Sequence, residues 1–235
     1  MVDLKVLNID KYITEEKKNN NTNPYLFNTP ARVIICGSSN SGKSNLLMDI
    51  LTRNKIHYTA LYIYSRHINQ SKYKYLKKYV GNIEKKLKKE KIEVNIIKAW
   101  DNSLDDLIQC DNLDEEEENL IVIDDFNSFL TKKQKEQIGD LFCSCRHKNT
   151  SIFFLGQLYH EIPRSCRLNL SYLCLFDNNN RRELSLLMTE LSSDKDKKDF
   201  RDMCKYVWKD RYNFLLIDNV NPKMRYRKNF DEILE

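Results

Sequence analysis

The chain has 235 residues, enough for one α/β domain with a sizeable core, and its 41% hydrophobic and 31% charged content is that of a globular protein, not a disordered or fibrous one. No apolar run approaches the ~18 residues of a membrane-spanning helix. The N-terminal MVDLKVLNIDKY has no basic and apolar leader pattern, and the seven cysteines show no C-x₂-C pairing, so secretion, a disulfide framework and a zinc site are not expected. A net charge of +5 is too small to announce a nucleic-acid partner by itself. Its distribution says more: lysines crowd residues 72–91 and an acidic block fills Asp114–Glu118, although each can also be a solvated face.

In chain order, residues 1–29 read as an arm or linker, with one candidate short strand at Leu4–Asn8 followed by the polar EEKKNNNTNP. Residues 30–235 read as one P-loop domain. A β-branched apolar run, Ala31–Cys36, predicts a strand, and Lys43–Arg53 predicts a helix. Between them stands Gly37-Ser38-Ser39-Asn40-Ser41-Gly42-Lys43-Ser44, followed by Asn45, in the pattern G-x₄-G-K-S. Backbone N–H groups of such a loop converge on phosphate oxygens, and the N-terminus of the following helix adds its positive dipole. Gly37 and Gly42 allow torsions and close approach that a Cβ forbids, Lys43 reaches the β/γ-phosphates, and the Ser44 hydroxyl can ligate Mg²⁺. With only 5 glycines in the chain, two at the required spacing are no compositional accident.

Further on, Ala60–Tyr64 predicts a strand, 71–90 a lysine-rich helix and Val94–Ala99 another strand, and Ser103 is placed to cap a short helix through Ile108. Leu120–Ile123 is a continuous apolar run delivering Asp124, Asp125 and Phe126 at its carboxyl end, the pattern of a Walker B element. Such a strand is expected beside the P-loop, its first acid holding the Mg²⁺ shell and its second polarising the attacking water. A helix over Lys132–Cys145 leads to Arg146 and His147, and the strand Ser151–Gly156 ends at Gln157, a polar group placed to touch the γ-phosphate or the attacking water. Arg164 and Arg167 fall in a loop or short helix before the strand Tyr172–Phe176. Helices near 181–191 and 196–208 and a strand Asn213–Asp218 complete the pattern, which predicts an α/β fold with a mainly parallel sheet flanked by helices on both faces. His147 and His160 read as polar loop residues, because no set with zinc spacing surrounds them.

Two rival P-loop chemistries fit poorly. A GTPase needs Asn-Lys-x-Asp to read its base, and Asn54-Lys55-Ile56-His57 lacks the Asp. A small-molecule kinase excludes water, so a second acid at Asp125 argues for hydrolysis. A nucleotide-switched DNA-binding or assembly subunit and a helicase-like DNA remodeller remain open alternatives.

The combination GSSNSGKS, LIVIDDF, CRHKNTSIFFLGQ, PRSCRLN and DRYNFLLID with RYRKNF resembles the genome-packaging ATPases of large DNA viruses and virophages, within the FtsK–HerA group of P-loop ATPases. The resemblance spans about residues 27–230. It implies a RecA-like ASCE fold and an ATPase, with ATP and Mg²⁺ as cofactors, that threads double-stranded DNA into a preformed capsid as a homo-oligomeric ring of five or six subunits. It also implies a location in the host cytoplasm or a viral factory, or association with the virion. Carried over residue by residue, Lys43 and Ser44 take the phosphate and Mg²⁺ roles, Asp124 a direct or water-mediated Mg²⁺ role, Asp125 that of base and Gln157 that of sensor. Arg146 becomes the arginine finger inserted into a neighbouring subunit, with Arg164 and Arg167 in reserve. Arg146 equally suits a cation at a helix C-terminus. Many members of the wider group carry Glu where this chain has Asp125, which weakens the assignment of the base.

Overall fold

The computed structural model describes residues 27–126, 129–177, 180–191 and 195–234, so the strand and polar stretch expected at the N-terminus lie outside the described residues. The elements are β1 (Arg32–Cys36), α1 (Lys43–Thr52), β2 (Ala60–Ser65), α2 (Ser71–Lys89), β3 (Ile97–Asp101), β4 (Asn119–Asp124), α3 (Lys132–Ser144), β5 (Thr150–Gly156), α4 (Arg164–Leu168), β6 (Tyr172–Phe176), α5 (Arg181–Leu191), α6 (Lys197–Val207), β7 (Phe214–Asp218), β8 (Tyr226–Lys228) and β9 (Glu232–Ile233). The strands join one sheet in the order β3-β2-β4-β5-β1-β6-β7-β8-β9. The first six positions run parallel and the last three are added antiparallel. The mainly parallel α/β architecture read from the sequence is the one observed.

The central strands are apolar without alternation because both faces are covered. Ile34, Ile121, Ile123, Ile152 and Phe154 point to one face, where they pack with Phe142 of α3, Cys166 of α4, Leu187 of α5 and Phe200 of α6. Val33, Ile35, Leu61, Val122, Phe153 and Leu155 point to the other, against Leu47 and Ile50 of α1 and Leu76 and Val80 of α2. A fully buried side chain of this size contributes about 1.5–3 kcal/mol, so this double-sided core is the main force holding the sheet. Local signals set the helix starts. Thr131 and Gln134 form a reciprocal capping box on α3, and Asp196 accepts from the backbone N–H of Lys198 and Asp199 on α6.

Several details correct the sequence reading. The strand carrying the acids is not beside the P-loop strand, because β5 pairs with both β1 and β4 and lies between them. The strand expected over Val94–Ala99 occupies Ile97–Asp101, since the side chain of Glu84 on α2 draws in the N–H groups of Ile96 and Ile97 and fixes the chain's entry there. No helix follows Ser103. Its hydroxyl accepts from Asp105 N and closes a turn, and a 3₁₀ turn at Cys110–Asn112 comes later. The strand expected at Asn213–Asp218 is β7, but the β8–β9 extension beyond it was not predicted. Its inner end is pinned by a buried ion pair between Arg227 and Asp218, 2.8 Å apart.

Candidate active site

The parallel strands β1, β5, β4 and β2 end level with one another, and the registers place Cys36 opposite Gly156, Asp124 opposite Leu155 and Ser65 opposite Asp124. Open α/β sheets bind ligands at this carboxyl edge. Here it forms a cleft of about 570 Å³, lined by Ser39 through Asn45, by Asp124, Asp125 and Gln157, and by His67, Lys72, Arg211 and Tyr212.

The P-loop leaves β1 at Gly37, where a Cβ would lie 2.5 Å from Phe176 Cβ, so only glycine lets the loop pass β6. Gly42 adopts φ +116° as N-cap of α1 and supplies no side-chain cap, leaving the first-turn N–H groups of α1 facing the cleft. Lys43 Nζ donates to the carbonyls of Gly37 and Ser38 at 2.7 and 2.8 Å, which folds the side chain back over the loop. Burial holds this ammonium below the usual lysine range, while the neighbouring Cys36, Asp124 and Asp125 act in the opposite sense. Ser41 Oγ is buried without a protein hydrogen-bond partner among the described residues.

The two acids differ in environment. Asp124 is 7% exposed, and its Oδ2 accepts from Tyr73 OH at 2.6 Å and Ser65 Oγ at 3.2 Å. Burial raises its pKa; the Tyr73 hydrogen bond pulls it back and the neighbouring Asp125 pushes it up again. Asp125 is more open and sits at φ +62°, a left-handed conformation that Asp tolerates better than most residues but that still costs free energy. Its backbone N–H bonds Leu155 O at 3.2 Å. Its Oδ1 accepts from Gln157 Nε2 at 2.9 Å and its Oδ2 lies 3.2 Å from His67 Nε2. Because β5 is interposed, Gln157 stands between the P-loop and the acids and touches the second of them.

Ser44 and Asp124 offer hydroxyl and carboxylate oxygens to the same cleft, a donor set that suits a hard divalent cation. Among the described residues no cluster of three or more His, Cys, Asp or Glu is arranged around a metal position. A cation here would therefore take most of its ligands from phosphate and water, as Mg²⁺ does at phosphate sites.

The three arginines lie elsewhere. Arg146 is exposed in a 3₁₀ turn at the amino end of β5, so seven strand residues, roughly 20 Å at 3.3 Å each, separate it from Gln157. Its charge adds to burial in lowering the pKa of Arg32 at the base of β1. Arg164 is exposed at the start of α4. Arg167 is committed within the fold: its Nε donates to Ile162 O at 3.1 Å, a second nitrogen pairs with Glu190, and the guanidinium lies 5.2 Å over the Tyr159 ring.

Sequence reasoning missed Ser65, His67 and Tyr73, which grip the acids, and Arg211 and Tyr212, which flank the P-loop. The first group gathers at and just after the carboxyl end of β2 and was findable from the rule that sites lie there. Tyr212 is 56% exposed at φ +72°, its ring close to Gly42, with the Arg211 guanidinium 4.8 Å above it.

The fold is shared with the genome packaging NTPase B204 of Sulfolobus turreted icosahedral virus 2, solved in complex with AMP, at TM-score 0.58 and 17% identity over 88% of this chain and 100% of that one. The same protein in complex with AMPPCP aligns at TM-score 0.53 and 14% identity, over 86% and 98%. Among curated sequences, the DNA packaging protein OPG160 of Monkeypox virus is 25% identical over 176 residues, which is 75% of this chain and 57% of the relative. The OPG160 protein of Vaccinia virus strain Copenhagen is 25% identical over 152 residues, 65% of this chain and 55% of the relative. The chain thus spans a little over half the length of the curated relatives it matches. A family described as Poxvirus A32 protein matches residues 17–228, nearly the whole chain, and the protein belongs to that family.

Proposed function

We propose that this protein hydrolyses ATP to move double-stranded viral DNA into a preformed capsid. The observation that carries the reading is the gathering of Lys43, Ser44, Asp124, Asp125 and Gln157 in one cleft at the carboxyl edge of the sheet, in a chain of the poxvirus A32 family. The names of its relatives, a DNA packaging protein and a genome packaging NTPase, support the same function.

In this reading the phosphates lie along Gly37–Ser44, with Lys43 exchanging its two loop carbonyls for β/γ-oxygens and the α1 N-terminus adding its dipole. Ser44 and Asp124 hold Mg²⁺, which neutralises charge on the phosphates when bound. Asp125 orients and deprotonates the attacking water, while Gln157, already bonded to it, reports the γ-phosphate. The nucleobase stacks on Tyr212. Arg146 lies about a strand length from its own cleft, so as an arginine finger it serves the neighbouring subunit, with the exposed Arg164 as the alternative. That role requires a ring, for which five or six subunits are the expected number. The test is steady-state phosphate release by the wild type and Lys43→Ala, with and without duplex DNA. DNA-stimulated release abolished by the substitution supports the reading, and wild-type release indistinguishable from Lys43→Ala overturns it.

A further inference from the structure

The outer face of α2 is a strongly charged surface that the catalytic reading leaves unused. Eight lysines lie between Lys72 and Lys89, and all of them are exposed. The opposite face buries Tyr73, Leu76, Val80, Ile83 and Leu87, which fixes the orientation of the helix. The helix contains one acid, Glu84, and its carboxylate accepts from the backbone N–H of Ile96 and Ile97, so it is spent on the fold. Among the described residues none of the eight lysines pairs with a carboxylate. Mid-helix stands Gly81, where a Cβ would meet open space, so packing within the chain gives no reason for a residue that weakens the helix. A glycine there leaves the face flat between two groups of lysines. Nineteen residues extend about 28 Å, long enough to follow the backbone of a duplex that carries a charge every ~1.7 Å.

The base of this helix and the turn that precedes it are bonded to the two acids of the cleft. Tyr73, in the first turn, donates to Asp124. At the end of β2, Ser65 Oγ donates to Asp124 and accepts from His67 N at 3.3 Å, and in the turn leading into α2 the His67 ring reaches Asp125. Lys72 lines the cleft itself. A force on the lysine face therefore acts on an element bonded directly to Asp124 through Tyr73 and, through the turn before it, to Asp125.

We propose that the lysine face of α2 docks the phosphate backbone of duplex DNA, and that Tyr73 and His67 transmit its occupancy to Asp124 and Asp125. The inference rests on the reading of the chain as a DNA-driven ATPase and adds the docking surface and the positioning residues to it. Backbone contacts carry little sequence information, so binding is indifferent to sequence and steep in salt.

The test measures duplex binding across a salt series, and DNA stimulation of phosphate release relative to each variant's own DNA-free rate. Two variants are compared with the wild type: the combined Lys85→Gln, Lys86→Gln, Lys88→Gln and Lys89→Gln chain, and Tyr73→Phe. The lysine variant is expected to lose at least about tenfold in affinity, and the slope of log affinity against log salt falls by about three. Tyr73→Phe is expected to bind duplex like the wild type while losing most of the stimulation. Unchanged affinity and slope in the lysine variant overturn the docking surface and leave the ATPase reading standing. Full stimulation in Tyr73→Phe overturns the coupling. A wild-type chain that hydrolyses ATP but ignores duplex overturns this surface and the packaging reading together.

Discussion

Replacing Asp125 by Asn removes the proposed base and changes little else. Asn tolerates the left-handed torsion at φ +62°, and its amide oxygen can keep the 2.9 Å contact from Gln157. The residue is partly open, so no buried charge is stranded, and stability is expected to stay within about 0.5 kcal/mol of wild type. The phosphate cradle from Gly37 to Ser44 is untouched, so nucleotide affinity is expected to hold. Turnover is the exception. A positioned base contributes about 10²–10⁴ in rate, equivalent to about 3–5 kcal/mol of barrier, and the amide cannot take the water's proton. The assay pairs a fluorescent-nucleotide titration with single-turnover phosphate release, separating binding from chemistry. Loss of binding in step with loss of turnover, or a rate within about tenfold of wild type, refutes the division of roles between Asp124 and Asp125.

Three further experiments probe the nucleotide site and its proposed partner arginine. Tyr212→Ala is expected to weaken ATP binding about tenfold while leaving inorganic tripolyphosphate binding unchanged, since the proposed stacking on that ring involves the nucleobase alone; parallel titrations decide it. Mixing Arg146→Ala chains with Lys43→Ala chains is expected to restore hydrolysis that neither has alone, because a trans finger is worth roughly 10³–10⁵ in turnover, and inactive mixtures under demonstrated subunit exchange refute the trans role. Asp124→Asn is expected to raise the melting temperature of the metal-free protein by a few degrees. Burial raises this carboxyl's pKa on folding, so the group favours the fold below its usual 3.8, and that contribution is lost as pH rises through the raised value. The stability gap between variant and wild type therefore closes on acidification, and a gap independent of pH in thermal melts contradicts it.

What the sequence revealed were the parts whose signals are local. The G-x₄-G-K-S loop, the apolar run ending in two acids and the polar tip of the following strand each lie within ten residues, and each states its chemistry through residue type and spacing. The interposed β5 was not legible, because strand order depends on which apolar faces meet and the central strands read alike. The grip of Tyr73 on Asp124 joins residues 51 apart and that of Gln157 on Asp125 residues 32 apart, and no periodicity links them. The antiparallel edge escaped because β8 and β9 have three and two residues, too short for alternation to register. Ser103 illustrates the opposite error. A residue that suits a helix N-cap suits a serine turn as well, and here the turn won.

Moving duplex DNA with the energy of ATP is the central claim, and displacement of a third strand from a triplex by the full chain tests it most directly. Release of the third strand is expected with ATP, none with AMPPCP, and none from Lys43→Ala chains. Phosphate release stimulated by duplex without any ATP-dependent displacement would contradict it and leave a nucleotide-switched DNA-binding protein in its place.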